Sequence, residues 1–318
     1  MRAAAIRLSL VLAACAQGAP DSTSTDGPAL TVKPEALESA IHFPAAGTYG
    51  PPVLLVHGTD STADESWSTT YAPALTGAGY AVFTIDLPQR ALIDIQESAE
   101  YLVYAIRRIS SLTGRKLSII GHSQGGLEPR WALRWWPDTR DKVDDLISLG
   151  TPQHGTIIAD ADCVPGCAAA DWQMKRDSHF IAALNRDDET PGETDYTSIY
   201  SETDELVEPQ LPVSTSALQG AANIAVQDVC PGRPVNHVGL MRDPVVYTLV
   251  MDALSHDGGA DAARIPFAVC LEVFIPGTDP AGALHAEEAY LATFTRDESA
   301  YTTNSEPPLR SYASGSGS

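Results

Sequence analysis

The sequence predicts an α/β fold, a mostly parallel central sheet with helices packed on both faces. Apolar strand-like runs alternate with helical stretches from about residue 51 to 254, the pattern of successive βα units. One junction, Gly121-His122-Ser123-Gln124-Gly125, sets a serine on a turn between a strand and a helix. The 318 residues, 44% of them hydrophobic, suffice for one such domain with a large core.

The elements follow in order. Pro51-Pro52 introduces the apolar run Val53–Val56, a helical stretch covers 66–78, and Tyr80–Ile85 is the next strand. Asp94 can cap a helix through about Leu112, with Ala99, Leu102, Val103, Ile106 and Ile109 on one face and Gly114 ending it. Lys116–Gly121 reads as a strand, Gln124–Trp136 as a helix and Leu146–Leu149 as a strand. Ser198–Tyr200 and Ile224–Gln227 are two further strands, and a helix over Pro244–Leu254 closes the domain.

The ends differ in composition. Met1–Arg7 is basic, Leu8–Ala14 is short and apolar, and Ala14-Cys15-Ala16 fits an export cleavage site, so 1–16 is expected to be a signal peptide. Leu12-Ala13-Ala14-Cys15 also resembles a lipobox, which would leave an acylated Cys15 as an envelope anchor. Residues 17–31, rich in Ser, Thr, Asp, Gly and Pro, are expected to be a flexible tether, 32–296 the catalytic domain and 297–318 a disordered tail. No apolar run reaches the ~18 residues of a membrane span.

A net charge of −21 repels phosphate backbones and anionic headgroups, which argues against nucleic-acid binding and for an uncharged substrate. Four cysteines remain once Cys15 is set aside. In an exported chain they suggest two disulfides, Cys163–Cys167 across the CVPGC loop and then Cys230–Cys270. Metal-ligand spacing is lacking, and neither a metal nor a cofactor is expected.

The chemistry centres on Ser123. The strand LSII precedes it and a helix-like segment follows, so the turn exposes Oγ and aims helix N–H groups at the reacting centre. Flanking glycines are needed because larger residues would meet neighbouring backbone. Two donors should form an oxyanion hole: the N–H of Gln124, and Thr59 in the loop His57-Gly58-Thr59 after Val53–Val56. His57 reads as a loop-holding or pocket residue, and His122 as one that shapes the pocket.

The order nucleophile, acid, base then selects the partners. Asp204 follows the strand-like Thr197–Ser201 and is the acid, with Glu202 and Glu205 as solvated neighbours. His237, His256 and His285 all come later. His237, in Asn236-His237-Val238-Gly239 between an apolar strand and a helix, is the base. His256 lies in a polar, Gly-rich stretch, and His285 near a less regular region.

The segments VLLVHGT, GHSQGGLEPRWALRWWPDTRDKVDDLISLGTP, YSETDELVEPQ and NHVGL together resemble lipases of the Candida antarctica lipase B type, within the α/β-hydrolase superfamily. The likeness runs from about Leu37 to Cys270. It implies the α/β-hydrolase fold, Ser123, Asp204 and His237 as a triad, Thr59 and Gln124 at the oxyanion, and Cys230–Cys270 as a disulfide flanking the histidine loop. Departures are clear. The family's N-terminal and C-terminal disulfides are absent, with Phe83 at one of the positions, and His122 stands where that lipase has a tryptophan lining the alcohol side. Residues 156–180 fall where a lid or pocket rim would lie, with Ile157, Ile158, Val164 and Trp172 able to meet an acyl chain or to be core.

The expected activity is a secreted, monomeric serine ester hydrolase acting on neutral lipids or other esters, with transesterification when an alcohol replaces water. Polyester hydrolase, phospholipase, peptidase and acyltransferase are alternatives on the same fold. A non-catalytic surface binding protein is the alternative of a different class.

Overall fold

The structure, a computed structural model of the chain, describes residues 26–279, 281, 284, 288, 292 and 299–315. The predicted alternation forms one seven-stranded sheet. Its strands are β1 Ile41–His42, β2 Pro52–Val56, β3 Ala81–Ile85, β4 Leu117–His122, β5 Val143–Leu149, β7 Asp195–Tyr200 and β8 Ala222–Ala225. β6 (Cys167–Ala168) and β9 (Thr302–Thr303) form a separate antiparallel pair. The sheet order is β1-β3-β2-β4-β5-β7-β8, and every pairing is parallel except the edge pair β1–β3. Chain direction across the sheet reverses between β2 and β4. The carboxyl ends of these two strands, where Val56 pairs with Gly121, therefore open the crevice in which doubly wound sheets bind ligands.

Both faces of the sheet are covered, as its near-continuous apolar strands require. Leu54, Val56, Phe83 and Ile119 point to one face, packed by the helices Ile95–Thr113 and Leu127–Trp135. Val53, Leu55, Ile120 and Ile147 point to the other, packed by Tyr71–Gly77 and Pro244–Ser255. The long helix has the expected ends. Asp94 accepts from the Gln96 N–H at 3.0 Å, and Gly114 closes the helix at φ 66°.

Some elements differ from the sequence reading. The stretch 66–78 is two short helices, Ala63–Trp67 and Tyr71–Gly77, not one. Pro73 has no N–H to give the carbonyl of residue 69, and its ring clashes with a continuing helix there. A 3-10 turn, Ser123–Gly126, precedes the helix after the nucleophile candidate. The last strand ends at Ala225, and Val226–Val229 is already helical.

The two ends are more ordered than their composition suggests. Trp136 Nε1 donates to the Pro28 carbonyl at 2.7 Å, and Thr31 Oγ1 to Glu100 at 2.7 Å, so the expected tether is fixed from about residue 28. The expected disordered tail packs as well. Tyr312 sits against Trp131, Trp135 and Trp136, Ala313 is fully buried, and Glu306 accepts from the N–H groups of His179 and Phe180. Burial of aromatic surface holds these residues against the loss of chain entropy. The proposed signal segment and Cys15 lie outside the described residues, as does His285. No helix among the described residues is long and apolar enough to cross a membrane. Both expected disulfides are formed, Cys163–Cys167 and Cys230–Cys270.

Candidate active site

The turn after β4 holds Ser123 at φ 55°, a left-handed conformation that a non-glycine residue adopts only when its surroundings impose it. Close packing supplies that constraint. A Cβ on Gly121 would lie 2.2 Å from the Gly125 carbonyl oxygen, and one on Gly125 would lie 2.4 Å from the His57 oxygen. Gly58 brings the β2 loop so near that a Cβ there would be 2.9 Å from Ser123 Cβ. The serine turn and the β2 loop are thus locked together by absent side chains.

Asp204 and His237 meet from the ends of two other segments. His237 Nδ1 lies 2.8 Å from Asp204 Oδ2, with both side chains almost wholly buried. Asp204 Oδ1 accepts from the N–H groups of Leu206 and Val207, each at 2.9 Å, which fixes the carboxylate as an acceptor facing the imidazole. With Nδ1 donating, Nε2 of the neutral ring is left as an acceptor. Gly150, at φ 59° after β5, leaves space for this pair, since a Cβ there would meet Leu240, Asp204 and His237. The Cys230–Cys270 bridge anchors the segment leading into His237.

Ser123, Thr59 and His237 line one cavity of about 590 Å³. Thr59 Oγ1 donates to Gln124 Oε1 at 2.7 Å, so its hydroxyl proton is engaged with that side chain. Gln124 Nε2 in turn donates to the Ala91 carbonyl and to Glu128. Neither His57 nor His122 lines the cavity, which leaves His57 the loop-holding role of its two expected ones and departs from the pocket role expected for His122. His57 is buried behind it, with Nδ1 on the Gly58 oxygen and Nε2 accepting from the Leu87 N–H. Burial lowers its pKa. His122 Nε2 is 3.0 Å from the His237 carbonyl oxygen, and its ring lies 4.7 Å from the His237 ring. Burial, followed by the neighbouring His237, takes its pKa well below the usual histidine range. Both rings hold backbone in place, His57 that of the loop after β2 and His122 that of His237.

The remaining candidates disperse. His256 is bonded to Asp252, while His154 and His179, which precede the acid in sequence and so fall outside the candidate order, are bonded to Glu189 and Glu306. Of Ile157, Ile158, Val164 and Trp172 only Ile158 lines the cavity, but Thr156, Ala159, Asp162, Cys167, Asp171 and Met174 of the same lid region line it as well. Val164 is exposed, and Trp172 donates to the Thr303 carbonyl. Sequence reading missed two contributors. Glu205, read as a solvated neighbour, accepts from the His237 backbone N–H at 3.0 Å. Ser299 and Thr302, from the segment read as a tail, form part of the cavity wall through the β6–β9 pairing. The adjacency of Glu205 to Asp204 was the only signal for the first, and the second had none.

A family model described as "Lipase (class 2)" matches residues 50–230. The chain belongs to the class 2 lipase family. This lipase is 31% identical over 272 residues to Lipase B of Pseudozyma antarctica, covering 82% of this chain and 80% of that one. It also resembles a crystal structure of Aspergillus fumigatus lipase B, with 30% identity, a TM-score of 0.84, and coverage of 94% of this chain and 76% of that chain. A shorter likeness, 32% identity over 126 residues, links it to a triacylglycerol lipase of Burkholderia plantarii, covering 36% of this chain and 34% of that one. The family, the α/β-hydrolase fold and an ester-hydrolysing activity follow from these similarities.

Proposed function

We propose that this lipase cleaves uncharged carboxylic esters through an acyl-enzyme formed on Ser123. His237 takes the Ser123 proton as Oγ attacks the ester carbonyl, then returns it to the leaving alcohol; water, activated in the same way, releases the acid. Asp204 keeps the imidazole in the tautomer with Nε2 free to accept, and stabilises its cationic form. The Gln124 and Thr59 N–H groups hold the tetrahedral oxyanion. The Thr59 hydroxyl adds a third donor only by turning from Gln124 Oε1. An alcohol in place of water gives the transesterified product. The observation that carries this reading is the 2.8 Å bond between Asp204 and His237, in a cavity shared with Ser123.

Asp162 and Asp171 line that cavity together with Asp60, which Arg90 pairs, and none of its described lining residues is Lys or Arg. A phosphate or free carboxylate would meet repulsion there, which supports neutral lipids over phospholipids. Two disulfides suit an exported enzyme, in keeping with the proposed signal at 1–16.

A substrate series tests the reading. With p-nitrophenyl esters from acetate to palmitate, and with tributyrin beside phosphatidylcholine, turnover is expected to extend past octanoate and to favour the neutral glyceride. A maximum at acetate with nothing beyond octanoate would remove the lipase assignment, and preferred cleavage of phosphatidylcholine would overturn the charge argument.

A further inference from the structure

The helix after the serine turn carries a carboxyl group where hydrocarbon is expected. Glu128, second residue of Leu127–Trp135, is fully buried. Its Oε1 accepts from Gln124 Nε2 at 2.8 Å, while its Oε2, also buried, has no hydrogen-bond partner. Among the described residues no Lys, Arg or His is bonded to it. The Gln124 amide uses its nitrogen on Glu128 and on the Ala91 carbonyl, and its oxygen on Thr59 Oγ1. An unbroken chain therefore runs Glu128–Gln124–Thr59, through the two residues proposed to hold the oxyanion.

We infer that Glu128 is a positioning residue of the oxyanion hole, acting in its uncharged acid form through the Gln124 side chain. This rests on the Ser123 mechanism proposed above. A buried carboxylate without a cation is costly, and one unpaired buried oxygen is far easier to carry in a neutral acid. Burial pushes the Glu128 carboxyl up to about 8, against the opposing pull of the Gln124 bond. Neighbouring titratable groups are engaged elsewhere. On the β2 loop, His57 is held by Gly58 and Leu87, and Asp60 by Arg90, which also binds Glu65. At the start of Ile95–Thr113, Asp94 takes Gln96 and Gln173, Glu97 faces Arg310, and Glu100 takes Thr31 and Val32. On its own helix, Arg130 binds Gln153 and Asn185, and Arg134 binds the Asp188 carbonyl.

The sign of the pH effect follows. Below about 8 the acid is neutral and the hole is intact. Above it, a negative charge stands behind Gln124 in a medium of low dielectric and opposes the negative charge developing on the substrate oxygen. Activity should fall as this group loses its proton, before other groups of the site are required to change.

The test is kcat/KM on p-nitrophenyl butyrate, corrected for spontaneous hydrolysis, with CD recorded at each pH. Wild type, E128Q, E128L and S123A are compared by the ratio of rates at about pH 7 and about pH 9.5. Wild type is expected to lose roughly thirtyfold over that span, reversibly and with its fold intact, the loss expected for one ionisation near 8. E128Q, a neutral isostere able to accept from Gln124, is expected to lose less than about threefold. E128L is expected to show no alkaline limb but a raised KM-independent loss in kcat at every pH. A wild type with no limb near 8, or an E128Q or E128L limb at the wild-type midpoint, would overturn the inference, including if E128Q alone fails to fold. A merely structural Glu128 would lower thermal stability and leave the midpoint unmoved. Turnover by S123A would instead overturn the underlying mechanism.

Discussion

Ser123→Ala is expected to lower kcat/KM on a p-nitrophenyl ester by about four to six orders of magnitude while leaving the far-UV CD spectrum and melting temperature close to wild type. Removing Oγ removes the only group proposed to form the acyl-enzyme, so the loss falls on the chemical step. Residual turnover is expected from the N–H groups of the proposed oxyanion hole acting on water, so the loss should stop short of complete. The fold should survive because an alanine at φ 55° is held by the same contacts that hold the serine, and Ser123 is at the cavity surface. A variant within about tenfold of wild-type activity would show that the ester is cut elsewhere.

Gly125→Ala is expected to cost at least about a hundredfold in kcat/KM, together with several degrees of melting temperature. The added Cβ would lie 2.4 Å from the His57 oxygen and 2.6 Å from the Val56 oxygen. Both are backbone atoms, Val56 at the end of β2, which is paired on each side, and His57 next to it, held by the bonds of its ring to Gly58 and Leu87, so neither can rotate away. The serine turn must retreat, taking the Gln124 N–H away from the Thr59 loop and opening the proposed oxyanion hole. Gly77→Ala is the matched control. Nothing lies within 4 Å of its Cβ position and its φ is not left-handed, so it should leave activity intact and change stability by no more than about 1 kcal/mol, in the favourable direction. Equal behaviour of the two variants in assay and melt would show that the glycine contact does not set the site.

The sheet and the site were legible where local rules apply. Asp94 and Gly114 bracket a helix whose apolar residues recur at helical spacing, and both caps are in place. Ser123, Asp204 and His237 could be chosen because each stands just past a strand or its following loop, in a fixed order. Features set by long-range packing could not be read. β1 has two residues and one paired edge, too short to show periodicity. Tyr312 looks like part of a polar tail until Trp131 and Trp136 are seen around it, across more than half the chain. His57 and His122 border the reacting loops in sequence, yet the turns that expose Thr59 and Ser123 direct both rings inward. Glu128 occupies a helical position that a surface carboxylate would fill equally well; only the fold shows that this face is buried.

The central claim is that Ser123 is made nucleophilic by His237 in a folded cavity. Labelling with a fluorophosphonate, followed by peptide mass mapping, tests it most directly. The proposed mechanism predicts one phosphonate on the peptide containing Ser123, formed rapidly in the folded protein, slowed at least about a thousandfold in His237→Ala and absent in Ser123→Ala. A folded wild type that takes up no label, labelling on a different residue, or an undiminished rate in His237→Ala would contradict it.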